Sequence, residues 1–279
     1  MNERRDHFIK PKGAGSNVAT KSRWPKPDKY PPIVVDEFFN DPDLMVRLGK
    51  SLPNEVVGKQ PGRRSKQMWE IDEILHNAII RKALSCYYDL DYVTLSWATS
   101  NLSFHTIDRY DPDKESEKNK GWIHQDVMIK QGFGDDEVAG IIYLTPGIDQ
   151  DSGTSLWTLK PDVKIDTQAP AYFDSERQDW INEDGSHSPE EYSEGYRSHM
   201  NKFTEKLRFQ NVFNRLIMYD SREWHAANSY WHEDGADPRL TLAFFIGGVE
   251  SLSDFPLERI RNPAYDDLIS ARIGNSSYI

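Results

Sequence analysis

The chain has a single cysteine, Cys86, among 279 residues, so no intrachain disulfide can form and a reducing compartment fits. That thiol falls in an apparent helix without a nearby basic partner, so it is no candidate nucleophile. No apolar run approaches the roughly 20 residues needed to span a bilayer. The polar start, Met1-Asn-Glu-Arg-Arg-Asp6, is not a signal peptide, and the chain reads as cytoplasmic with no membrane partner. Gly-x-Ser-x-Gly is missing, which removes the serine-hydrolase elbow. No glycine loop cradles phosphate either, because Gly132-Phe-Gly134 is followed by acids that would repel an anion.

Positive charge is scarce beyond the N-terminus. Residues 1–31 hold eight Lys or Arg against three acids; since the whole chain carries −11, residues 32–279 carry −16. A body that acidic repels phosphate backbones and argues against a nucleic-acid partner. Residues 10–32 also hold five prolines among Lys, Gly and Ser, the composition of a flexible arm. We therefore read 1–31 as a basic arm and 32–279 as one domain. Its apolar surface comes largely from eight Trp, 13 Tyr and 12 Phe, despite a mean hydropathy of −0.73. No internal repeat is visible.

The pattern begins with a strand at Ile33-Val-Val35, then a helix entered through Asn40-Asp-Pro-Asp43 and running to about Leu52 on a Leu44, Leu48, Leu52 stripe. After a basic loop, 72–87 reads as a second helix with Ile74, Leu75, Ala78, Ile79, Ala83 and Cys86 inward and His76 at the surface or in packing. Residues 92–107 then alternate β-branched or aromatic with small polar residues, the signature of a strand, and place His105 where a supporting role is expected. Further strands are expected over 138–145, 154–159, 212–219 and 239–246. Helices gathered at the N-terminal side of many short strands predict a mainly β (α+β) fold, a jelly roll with a helical buttress.

A long insertion spans about 160–210. Ser188-Pro-Glu-Glu191 is a capping box, after which Tyr192, Tyr196, Met200, Phe203 and Leu207 share one helical face. The irregular part with Tyr172, Phe173 and Trp180 is a candidate lid.

The chemistry centres on His124-Gln-Asp126. In extended backbone, residues two apart face the same way, so an imidazole and a carboxylate converge. Two His and one carboxylate with an open face is the set that non-haem Fe(II) oxygenases use. His225, after a strand and its turn, is the third ligand by this reading; His232, in an acidic Gly-containing loop, competes. Arg239 opens an apolar strand and shares a face with Thr241, so a guanidinium fork and a hydroxyl could grip a carboxylate. A salt bridge from Arg239 to Asp234 or Asp237 is the plainer alternative.

The order His-x-Asp, Tyr143-Leu144 in a strand, Ser152-Gly-Thr154, a lone His and then Arg-x-Thr resembles the 2-oxoglutarate and Fe(II)-dependent oxygenases, nearest the prolyl-hydroxylase-like branch in its bacterial and phage members. The resemblance covers about 33–248 and implies a double-stranded β-helix (cupin-like) core. It implies that His124, Asp126 and His225 bind iron, that Arg239 and Thr241 hold the distal carboxylate of 2-oxoglutarate, and that Tyr143 bonds the same carboxylate. The 14-residue gap from His225 to Arg239 and the Thr145-Pro146 pair after Tyr-Leu depart from the prolyl-hydroxylase pattern. The implied activity is O2-dependent hydroxylation of an unactivated C–H bond, with release of succinate and CO2. The substrate would be an amino acid, a peptide side chain or another small molecule. Asp126 favours hydroxylation over halogenation, since halogenating relatives carry a small residue there. A jelly-roll binding module without catalysis and a cupin-like metalloenzyme that does not use 2-oxoglutarate remain open, as does the oligomeric state.

Overall fold

The computed structural model describes residues 30–56, 61–88, 95–126, 136–164, 188–249, 269, 271 and 272. Strand β1 (Ile33–Val35) leads to helix α1 (Pro42–Ser51), where the Asp41 side chain accepts the Leu44 N–H and Pro42 occupies the first turn. Two short strands, β2 (Asn54–Glu55) and β3 (Arg63–Ser65), lie within the stretch expected to be a loop. Helices α2 (Met68–Ile71) and α3 (Glu73–Leu84) follow; Asp72 caps α3 by accepting the N–H groups of Ile74 and Leu75. The sheet strands come next: β4 (Thr99–Ile107), β5 (Asp136–Tyr143) and β6 (Thr154–Leu159). Helix α4 (Pro189–Met200) precedes β7 (Phe203–Phe209), β8 (Leu216–Asp220), β9 (Trp224–Ala227) and β10 (Arg239–Gly247).

The strands form a seven-stranded sheet, β1-β8-β5-β10-β4-β3-β2, and a three-stranded sheet, β7-β6-β9. Every pairing is antiparallel. Strand alternation gives the large sheet two distinct faces. Leu240, Leu242, Phe244 and Ile246 of β10, with Leu102 and Phe104 of β4, join Met45, Leu48, Ile79 and Ala83 of the helices in the main core. The opposite face carries Ala139, Tyr143, Ile217 and Tyr219, which Leu156 and Phe209 of the small sheet cover. The candidate site residues Tyr143, Thr241 and Arg239 lie toward this second face. Tyr30 is already packed ahead of β1, its N–H donating to Asp220 Oδ2 at 3.0 Å and its hydroxyl 2.7 Å from that of Tyr88.

Several expectations are corrected. Phe203 and Leu207 do not continue the helical face: α4 ends at Met200, and the next residues form β7, where Leu207 is exposed. Ile74 faces solvent, 51% exposed, because the inner arc of α3 runs through Leu75, Ala78, Ile79 and Ala83. Cys86 lies beyond that helix and is half-buried. Leu44 is only partly buried, and Met45, Leu48 and Gly49 take the inner face of α1. The strand expected from 212 begins at Leu216, because Asn214 adopts φ 62° and its amide clamps the Phe39 N–H and C=O at 2.8 and 2.7 Å. Tyr172, Phe173 and Trp180 lie outside the described residues.

Candidate metal centre

Residues 121–126 run beside β9. His124 and His225 exchange both backbone hydrogen bonds at 2.9 Å, and the Gly121 N–H donates to Ala227 O at 2.8 Å. Only glycine fits at 121, since a Cβ there would lie 2.8 Å from the backbone of Ala227. This pairing places the two imidazoles side by side, with ring centroids 4.4 Å apart. The Asp126 N–H donates to Ser221 O at 3.2 Å, which turns its carboxylate back toward both rings.

His124, Asp126 and His225 each present a ligand atom, all within 4.8 Å of one another, and form a group that could hold a metal ion. The outward-facing nitrogens are fixed from behind. His124 Nδ1 lies 2.9 Å from Trp122 O and His225 Nδ1 lies 3.0 Å from Glu223 O. A carbonyl can only accept, so each Nδ1 carries the proton and each Nε2 presents a lone pair. His225 Nε2 is 3.0 Å from Asp126 Oδ2, and His124 Nε2 is 3.7 Å from Asp126 Oδ1. A lone pair held that close to a carboxylate oxygen calls for a cation between them. Burial drives the His225 pKa down, but the Asp126 carboxylate more than offsets this and holds it above the ordinary histidine value. For Asp126, burial acts upward and is outweighed by His225, His124 and Arg64, leaving its carboxyl below the usual range. A proton supplies the cation when no metal does. Two imidazole nitrogens and a carboxylate suit a divalent transition metal equally well.

Arg239 lies on the same side of the large sheet, 4% exposed. Its Nε and Nη2 are buried without a hydrogen-bond partner among the described residues. Both acids that might have paired with it are engaged elsewhere, Asp234 with Arg109 and Asp237 with Lys50. Thr145 fixes the start of β10, its hydroxyl accepting the Leu240 N–H at 2.7 Å, and so anchors the strand carrying Arg239. Thr241 pairs directly with Tyr143 on one side and His105 on the other, which sets the three on one row. The guanidinium stands 5.5 Å from the Tyr143 ring and 5.9 Å from that of Tyr230. The Tyr143 hydroxyl donates to Thr154 Oγ1 at 2.8 Å. Arg239 thus offers buried donors without a matching acceptor, which is what an anionic ligand would satisfy.

His105, the third member of this row, is buried with its Nε2 3.0 Å from Ser103 Oγ; burial, and then the Arg64 and Arg239 charges, push its pKa well below the usual value. His232 is not part of the cluster and accepts the Arg109 N–H at 3.3 Å. His76 is fully buried, 2.7 Å from Ser100 Oγ, in packing rather than at the surface.

Three neighbours escaped the sequence. Arg64 of β3 lies in register with His105, hidden because β3 looked like a basic loop. His199 of α4 reaches Ile123 O at 2.9 Å, and its ring lies 4.9 Å from that of Trp122, so the helix braces the strand bearing His124. Tyr219 packs its ring 4.9 Å from His225. It shares a face with Ile217, but its proximity to His225 depends on the turn between β8 and β9, which no spacing reveals.

Fold and geometry thus define a β-rich protein of two antiparallel sheets with a His/Asp/His cluster at the edge of the space between them. The chain belongs to DUF6445, a family of unknown function, whose model matches residues 18–246. No curated protein matches it. Among solved structures it is similar to HygX from Streptomyces hygroscopicus with nickel, 2-oxoglutarate and hygromycin B bound, at 11% identity over 77% of this chain and 82% of that one, TM-score 0.42. It is also similar to a prolyl hydroxylase from Trichoplax adhaerens in complex with a hypoxia inducible factor peptide fragment, at 13% identity over 78% and 83%, TM-score 0.38. A third is a Pseudomonas putida prolyl-4-hydroxylase, at 11% identity over 77% and 84%, TM-score 0.35. No helix among the described residues is long and apolar enough to cross a membrane.

Proposed function

We propose that this chain is a 2-oxoglutarate- and Fe(II)-dependent oxygenase that hydroxylates an unactivated C–H bond of an amino acid, a peptide side chain or another small molecule. The observation that carries the reading is the gap between His225 Nε2 and Asp126 Oδ2, 3.0 Å across, with both histidine Nδ1 atoms committed to backbone carbonyls. A double-stranded β-helix accounts for the strand order: β4, β10, β5 and β8 make one wall, and β7, β6 and β9 with the His124 segment make the other. On this reading residues 32–279 form one oxygenase domain.

His124, Asp126 and His225 would hold Fe(II) on one face and leave the other open. Arg239 would take the distal carboxylate of 2-oxoglutarate through its unpaired Nε–H and Nη2–H, with Thr241 beside it. Tyr143 lies against the guanidinium, and its hydroxyl would bond the same carboxylate by turning its one proton from Thr154 to the ligand. When bound, iron and 2-oxoglutarate supply the oxidation by O2, giving succinate, CO2 and the hydroxylated product. The chain contributes orientation and exclusion of water: His225 is 6% exposed at its side chain, whereas His124 is 40% exposed and marks the side open to substrate.

The test is anaerobic addition of Fe(II) and 2-oxoglutarate, read by the visible metal-to-ligand charge-transfer band. The band is expected in the wild type and in His232→Ala. It should be lost in His225→Ala and need far more 2-oxoglutarate in Arg239→Leu. A protein that binds metal without producing the band, or an Arg239→Leu variant with wild-type affinity for 2-oxoglutarate, would overturn the reading.

A further inference from the structure

We propose that Tyr219 is a further ligand-contacting residue of this site: its hydroxyl donates a hydrogen bond to the metal-proximal end of a 2-oxo acid whose far carboxylate lies on Arg239. The inference rests on the function proposed above and adds a contact at the opposite end of the ligand.

The basis is a buried side chain whose hydroxyl has no hydrogen-bond partner among the described residues, in a place that packing alone does not explain. Tyr219 is 1% exposed and sits among Ala139, Ile217, Leu156 and Phe209, neighbours that a phenylalanine would serve as well. Its ring is inclined 50° to the His225 imidazole at 4.9 Å, and that imidazole lies 4.4 Å from His124, so the phenol packs against one of the two paired imidazoles. Buried tyrosine hydroxyls ordinarily find a partner. Among the described residues this one has none, whereas Tyr143 in the same cluster donates to Thr154. Arg239 repeats the pattern across the same inter-sheet space with two unpaired N–H groups. Unsatisfied donors beside the metal ligands and at the guanidinium match a molecule bearing oxygen acceptors at both ends, as a 2-oxo dicarboxylic acid does. A phenol at neutral pH is a donor, and a donor to a carboxylate or keto oxygen tunes that oxygen's electron density toward the metal.

Tyr219→Phe removes the hydroxyl and keeps the ring. Three quantities are read anaerobically on wild type and variant: affinity for Ni(II) or Fe(II) alone, the 2-oxoglutarate dissociation constant, and the energy of the charge-transfer band. The expected result is unchanged metal affinity, a dissociation constant raised about tenfold, as for loss of one hydrogen bond to a charged group, and a shifted band. Wild-type values for both dissociation constant and band would overturn the proposal and leave the function standing. Loss of metal affinity in the variant would assign Tyr219 to supporting His225 and also overturn it. No band in the wild type would overturn the function, and this contact with it.

Discussion

At the scale of single residues, the decisive property is which atom each histidine has left to offer. His225 donates its Nδ1–H to a backbone carbonyl and points Nε2 at Asp126, an arrangement that favours a proton between the two in the metal-free protein. Its pKa is raised in the folded state, against burial, by Asp126. That stabilisation is fully present below the unfolded histidine value and is lost as pH rises through the folded one. A divalent ion held by the proposed ligands would replace the proton, so its stabilising effect should grow with pH. The rise in melting temperature on adding Ni(II) is expected to be larger at pH 8 than at pH 6, with protons released on binding, seen as a buffer-dependent heat. Equal shifts at both pH values and a buffer-independent heat would count against a proton in the gap. His124 and Asp126 were legible because His-x-Asp carries its geometry in the strand period, His225 because it follows a strand and its turn, and Arg239 because a cation opening an apolar strand is conspicuous. Tyr219, Arg64 and His199 were not, since each meets the site only through tertiary pairing.

Elements show where a period misleads. Tyr192, Tyr196 and Met200 do form a helical stripe on Trp122, with the Trp122 Nε1–H donating to the Tyr192 hydroxyl at 3.1 Å. Phe203 and Leu207 extend the same spacing arithmetically, yet Asn201 ends the helix and the chain becomes the edge strand β7. That edge is lined by Thr204, Glu205, Lys206 and Arg208, all exposed or partly so, with Lys206 paired to Glu223 and Arg208 to Glu205. Charges on an edge strand discourage pairing with another chain, and they also mimic the polar side of a helix. Strands with buried partners on both sides were plainer: β6 has the expected bounds, and β10 runs one residue longer than expected. Within that central region Gly140 faces Phe244 so closely that a Cβ would stand 2.1 Å from the ring. Gly140→Ala should therefore lower stability by about 1–3 kcal/mol through overpacking, read as a lower urea midpoint with an unchanged slope. An unaltered midpoint would mean that Phe244 can move without cost, contrary to its position in the main core.

For the molecule as a whole, the coarse plan was legible: helices first, then antiparallel strands, with the aromatics inside. What could not be read was which polar side chains the core encloses, and this sets the response to acid. His76 lies on α3 with its Nε2 2.7 Å from Ser100 Oγ, and burial pushes its pKa down to about 4. A histidine lowered in this way favours the folded state above the unfolded value near 6.5, and that advantage drains away as pH falls toward the folded value. His105, lowered by burial and the neighbouring arginines, acts in the same direction, while His225 in the metal-free protein acts in the opposite one. The contribution of His76 alone amounts to roughly 2 kcal/mol between pH 6.5 and pH 5, at about 1.4 kcal/mol per unit. His76→Leu removes this titration, and Ser100 Oγ keeps the Trp97 Nε1–H as a donor at 3.0 Å. Whatever its stability at pH 7, the variant should lose less than the wild type when urea unfolding is repeated at pH 5. Parallel losses in the two proteins would move the acid response away from the helix-sheet interface and onto the residues around His124, Asp126 and His225.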